Sequence, residues 1–228
     1  MKEALKQDNE MSTDSSLSRR KFLNYAGAIA GAGVLIASCK KKDDPTVEDG
    51  SLDIGSNDTG LLNLAYLYKQ MKAAFYTQVV KTPFPGMTDT EKGFYVAMRN
   101  HEIAHRELFK NYLTTKGVPS LENDFSSIDF TSKSSVMAKA QFFEETCTSA
   151  MCDICRLTVN ADNLNVLAKI TMSDARQSAV ANDFIYLGAF GYKVDDNGMQ
   201  VALDPQNALE VIRTFFKKKL SGTYLPKY

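Results

Sequence analysis

From about residue 60 onward, apolar residues recur at three- and four-residue steps, the period of a helix with one buried face. The first such stretch runs from Gly60 to Val80, with Leu61, Leu64, Tyr68, Met71 and Phe75 on its seam. Lys81-Thr82-Pro83-Phe84-Pro85-Gly86 breaks it. The second runs from Thr88, which can form a capping box with Glu91, to Lys116, with Gly117 as C-cap and Pro119 beyond. Its stripe reads Phe94, Ala97, Met98, His101, Ala104, His105, Leu108 and Tyr112, which puts His105 on the stripe and Glu102 at its edge. The third spans Ser134 to Val159, with Met137, Ala140, Glu144, Cys147, Met151 and Ile154 inward. After a tight turn at Asn160-Ala161-Asp162, the fourth runs from Asn163 to Leu187 along Leu164, Leu167, Ile170, Asp174, Gln177, Ala181 and Phe184. Asp204-Pro205 opens a short last helix to about Leu220. The pattern predicts an all-α fold. The connection from Ser120 to Ser132 exceeds what adjacent helices need and is long enough to cross a bundle end to end.

Composition adds little to this picture. Of 228 residues, 44% are apolar, and Lys plus Arg balance Asp plus Glu at 27 each. Without a clustered basic excess the chain is not expected to bind nucleic acid.

The first 59 residues follow a different pattern. Ser18-Arg19-Arg20-Lys21-Phe22-Leu23 precedes an Ala/Gly-rich apolar run from Tyr25 to Ala37, too short and small-residued to span a bilayer comfortably. The run ends at Leu35-Ile36-Ala37-Ser38-Cys39. The segment resembles a twin-arginine export signal carrying Arg19 and Arg20, ended by a lipobox whose Cys39 becomes lipidated. It implies export and a lipid anchor in the cell envelope, on the periplasmic or surface face. Residues 40–59, rich in Lys, Asp, Gly and Ser, read as a flexible linker. The expected organisation is a signal over 1–39, a linker over 40–59 and one domain over 60–228.

Within that domain, the chemistry gathers on the buried faces. The only two histidines are His101 and His105, and Glu102 lies three residues before His105. Glu144, Asp174 and Gln177 fall on the seams of the third and fourth helices. A carboxylate buried without a partner costs several kcal/mol or takes up a proton. These groups must therefore meet one another, a cation or water.

The stretch from about 60 to 220 resembles the ferritin-like domain of exported bacterial proteins related to plant desiccation-induced proteins. The resemblance rests on Lys72-Ala73-Ala74-Phe75-Tyr76-Thr77-Gln78, on Glu102-x-x-His105 and on Ile170 to Ala179. It implies a four-helix bundle with a crossover between helices two and three, and a di-iron site in which helices one and three each give a Glu and helices two and four each give Glu-x-x-His. By that resemblance Glu102, His105, Glu144 and Asp174 correspond to metal ligands, while Lys69 and Gln177 stand where a Glu and a His belong. Residues 61–82 hold no acid and no histidine follows His105, so the full ligand set is absent. Glu102, Glu144 and Asp174 against Lys69 leave two negative charges. One divalent iron or manganese ion would balance them. So would a protonated His105 with one protonated acid and no cofactor at all, which is the favoured expectation.

Two further readings stay open beside a non-catalytic, membrane-anchored binding or stress module. One is an oxidoreductase or metal-storage protein using the residual ligands. The other is a thiol redox protein using Cys152 and Cys155, which with Cys147 lie on helix three, where small buried core residues are the simpler reading. A homo-oligomer is compatible with all three.

Overall fold

A computed structural model describes residues 50–227 of the chain. The signal positions Arg19, Arg20 and Cys39 lie outside the described residues. Four helices of equal length form the body: α1 (Asn57–Lys81), α2 (Asp89–Leu113), α3 (Lys133–Leu157) and α4 (Ala161–Ile185), with a short α5 (Pro205–Arg213). Apart from α1, whose Ser56 makes no side-chain capping bond, each start is built by a side chain that satisfies backbone N–H groups left free at a helix end. Thr88 and Glu91 form the reciprocal capping box of α2. Ser132 accepts from the Ser135 N–H, Asn160 from Asp162 and Asn163, and Asp204 from Gln206 and Asn207, with Pro205 in the first turn. The α2 helix stops at Leu113, followed by one 3-10 turn, Thr114–Lys116. The positive φ that turns the chain belongs to Thr114 (51°), whereas the expected cap Gly117 has an ordinary φ of −75°.

Side-chain contacts fix the topology. Lys72 and Tyr76 of α1 meet Glu144 of α3, while Lys69, nearer the start of α1, meets Cys147, farther along α3. These two helices are therefore antiparallel. In the same way Phe94, His101 and Tyr112 of α2 meet Phe184, Ser173 and Asn163 of α4. With α1 and α2 forming one hairpin, α2 and α3 run parallel, and the chain between them must return the length of the bundle. It does so along α1. The Val118 N–H donates to Asn63, the Leu121 N–H donates to Gln70, and Phe125 and Phe130 pack on Phe75. This is the crossover that the long connection predicts.

The crossover explains why α1 is covered nearly all round. Every residue from Gly60 to Ala73 is buried, because α2, α3, α5 and the crossing segment surround the helix. Tyr68 donates to the carbonyl of Ala208 in α5. Close approach extends to the start of the helix, where a Cβ on Gly60 would lie 2.6 Å from the Gly55 carbonyl oxygen.

Two boundaries differ from the sequence expectation. The linker does not reach residue 59: Ser51, Leu52 and Ile54 are buried, and β1 (Leu52–Asp53) pairs in parallel with β2 (Leu220–Ser221). The last helix ends at Arg213, and the chain from Thr214 folds back through buried Phe215 and Phe216 to reach β2. Apolar side chains at 52, 54, 215, 216 and 220 cap the core from outside helical periodicity. No helix among the described residues is long and apolar enough to cross a membrane.

Asn63 joins three of these segments. Its amide donates to the carbonyls of Ile54 and Lys116 and accepts from the Val118 N–H. Asn63→Ala strands a buried N–H and is expected to cost about 1–3 kcal/mol in a denaturant titration, the usual range for an orphaned buried group.

Candidate functional site

The helix α1 has two charged side chains between Leu61 and Val80, Lys69 and Lys72. Three residues apart, they share a face, and that face points to the bundle axis. Both lysines, with Glu102 of α2, Glu144 of α3 and Asp174 of α4, are fully buried. The Lys69 ammonium lies 2.5 Å from Asp174 Oδ1 and 3.4 Å from Glu102 Oε2. Lys72 sits deeper in the cluster, 2.6 Å from Glu144 Oε2, 3.0 Å from Glu102 Oε1 and 3.7 Å from Asp174 Oδ1. Tyr76 donates to the other oxygen of Glu144 at 2.7 Å. Gln177 completes the ring. With its amide nitrogen turned towards the acids, the orientation that matches donor to acceptor, it reaches Glu102 Oε1 at 2.8 Å and Asp174 Oδ1 at 3.2 Å.

The structure thus brings Lys69, Glu102, Glu144, Asp174 and Gln177 together, and corrects the sequence reading in two respects. The buried seam of α2 runs through Tyr95, Met98, Glu102, Phe109 and Leu113. Glu102 is therefore at its centre and His105 at its edge, the reverse of the expected order. His101 is exposed, stacks obliquely on His105 and bonds Ser173. The second correction is Lys72, which the seam reading of α1 passed over. Its signal was present: in a helix apolar on every side, the only two charges have no solvent face to occupy.

Lys72 changes the charge balance. Two ammoniums against three carboxylates leave one negative charge where the sequence reading found two, and one proton neutralises it. Glu144 is the group that takes it. Burial pushes its carboxyl up to about 7 despite the adjacent Lys72. Burial would also raise Asp174, but Lys69 and Lys72 outweigh it and hold that carboxyl at about 2. His105 stays neutral, because burial and the nearby Lys69 lower it to about 4. Burial likewise drives the Cys147 thiol well above its usual range, leaving it a neutral neighbour of Lys69 and Asp174. Cys152 and Cys155 are partly buried with thiols raised for the same reason, the opposite of an activated pair.

A family model for the ferritin-like domain matches residues 57–187, from the start of α1 to the end of α4. The chain belongs to the ferritin-like domain family. No curated protein sequence matches it. In a ferritin-like bundle the metal ions sit among the inward carboxylates, so the fit of these residues to metal can be tested directly. Glu102, His105 and Asp174 bring three possible ligand atoms within 4.8 Å of one another. Glu102 Oε2 and His105 Nδ1 make no hydrogen bond. Glu144 is not in that group; Lys72 links it to Glu102 and Asp174. The Lys69 and Lys72 ammoniums, however, contact the very oxygens that ions would use. While both are charged, the site fits neither two ions nor a well-held single one.

The titrations make opposite contributions to stability. Glu144 is raised, so the folded state holds an extra proton between about 4.5 and 7, and its contribution falls as pH rises through that window. His105 is lowered, so the unfolded state holds the extra proton between about 4 and 6.5, and its contribution rises with pH there. Denaturant melts across pH 4–7 should therefore separate the variants. His105→Gln loses stability as pH rises relative to wild type, and Glu144→Gln gains it.

Proposed function

We propose that this ferritin-like chain is a metal-independent module held at the cell envelope by a lipid on Cys39, serving there as a binding or structural element rather than as a di-iron enzyme. The observation that carries the metal-independent part is the placement of Lys69 and Lys72. They supply as fixed ammoniums the positive charge that the carboxylates of such a bundle otherwise draw from ions. An ammonium offers no open coordination position and no redox couple, so it does not supply the chemistry of the ions whose charge it replaces. The envelope assignment rests on the resemblance of residues 18–39 to a twin-arginine lipoprotein signal, and in exported bacterial relatives of plant desiccation-induced proteins the same domain is expected.

A second reading has its own observation. Glu102 Oε2 and His105 Nδ1 lack hydrogen bonds and lie with Asp174 in one candidate ligand group. A single iron or manganese ion there would require Lys69 to lose its proton or withdraw.

Thermal melts with and without added manganese distinguish the two. For wild type the midpoint should not move. Lys69→Glu should be strongly destabilised without metal, since like charges then crowd one buried pocket and a broken buried pair costs about 3–5 kcal/mol. Manganese should recover part of that loss. A wild-type midpoint that rises with manganese and falls with chelator supports the residual-ion reading instead. For the anchor, cell fractionation should find wild type with membranes and Cys39→Ala released from them.

A further inference from the structure

The surface of the bundle carries one feature that the cluster does not explain. Between α4 and α5 the chain exposes Tyr186, Leu187, Phe190, Tyr192, Met199 and Val201 within sixteen residues, with Leu187 95% and both Tyr186 and Phe190 71% accessible. Exposed apolar residues scattered singly need no explanation, whereas a concentrated set marks an interaction site. Apart from Tyr186 and Leu187, the segment lies beyond the match to the ferritin-like domain, which ends at residue 187.

The segment is also held in shape. A 3-10 turn spans Ala189–Gly191, and an antiparallel bridge joins Val194 to Gln200 around a turn at Asp195–Gly198. Two bonds tie it to α3: the Leu203 N–H donates to the Ser149 carbonyl, and Gln200 donates to the Ser149 hydroxyl. Lys193 pairs with Glu145 at 3.5 Å. A patch fixed in this way loses little conformational freedom on binding.

We infer that this segment is the interface of a two-fold homodimer, each copy laying its 186–201 patch on the same patch of the other. Three observations favour a second copy over other occupants. Large aromatic side chains carry about 150–250 Å² each. At the exposures above the patch offers several hundred Å², the order of the ~800 Å² per partner of a stable interface. The six apolar residues bear no charge, so the apolar centre meets no like charge when turned on a second copy, as isologous pairing requires. Its charged margin includes Asp183, Asp195 and Asp196, with Lys193 already paired; a broad anionic lipid surface repels that margin, whereas at the rim of a dimer the acids stay in water, where salt screens them from their copies. Tyr, Phe and Met are also the residues enriched in the centres of protein interfaces.

The test uses sedimentation velocity and light scattering on the full chain carrying Cys39→Ala, which removes the lipid from the comparison. The expected result is a dimer at micromolar concentration. Leu187→Asp with Phe190→Ser should raise its dissociation constant by roughly 100-fold or more, as loss of central anchors does, with an unchanged thermal midpoint at the monomer's concentration. Leu164→Asp, an exposed apolar residue outside the segment, should leave the dimer intact. A wild-type monomer up to 100-fold higher concentration overturns the inference. So does a dimer indifferent to the double substitution, or a patch that binds neutral or anionic vesicles while the protein stays monomeric. None of these outcomes bears on the metal content of the bundle, so the proposed function and the dimer stand or fall separately.

Discussion

Everything at the centre of this bundle depends on the Lys72 ammonium, which touches carboxylates from three different helices. Lys69 bridges two of the same three. Charges withdrawn from water cost several kcal/mol each unless their partners are close and their remaining bonding capacity is used. Here the acids of α2, α3 and α4 are largely balanced by α1, Tyr76 takes up the Glu144 oxygen that Lys72 leaves, and Gln177 adds a donor to oxygens of Glu102 and Asp174 that the lysines already contact. Such a cluster is better understood as a constraint than as a store of stability. It forces four helices into one register, because displacing any of them strands a buried charge.

The same constraint links the scaffold to the chemistry. The lysine face of α1 is sealed by the facing carboxylate helices, and the rest of the helix is covered as well. The crossover and α5 provide that cover, through Gln70 and Asn63 on one side and Tyr68 on the other. Consequently the loop between α2 and α3 and the C-terminal helix, remote from the acids in sequence, help hold in place the helix that carries both lysines. His105 marks the limit of this protection. At the edge of the seam, neutral, with Nδ1 3.8 Å from Asp174 but making no hydrogen bond, its side chain is 12% accessible where the lysines and acids are fully buried.

Much of this was legible from the residues. Helical periodicity located the four long helices, and the length of the 120–132 connection implied a crossover. Polar residues on apolar seams pointed to Glu144, Asp174 and Gln177. What escaped did so for physical reasons. In α2, apolar residues stand side by side at 94 and 95 and at 97 and 98, so two stripes one residue apart fit almost equally well. The choice between them exchanged Glu102 and His105. In α1, buried nearly all round, a single seam has no meaning, and one drawn through Leu61, Leu64, Tyr68, Met71 and Phe75 leaves Lys72 out. The strand pair and the fold-back at Phe215 and Phe216 have no helical period and are set by tertiary contact alone.

The account holds that two ammoniums stand where a ferritin-like bundle otherwise carries ions. Metal content answers this most directly. The protein is to be purified without chelator from cells supplied with iron and manganese, and assayed by inductively coupled plasma mass spectrometry against protein concentration. The account predicts iron and manganese far below one ion per chain. One or two ions per chain, retained through gel filtration, would contradict it.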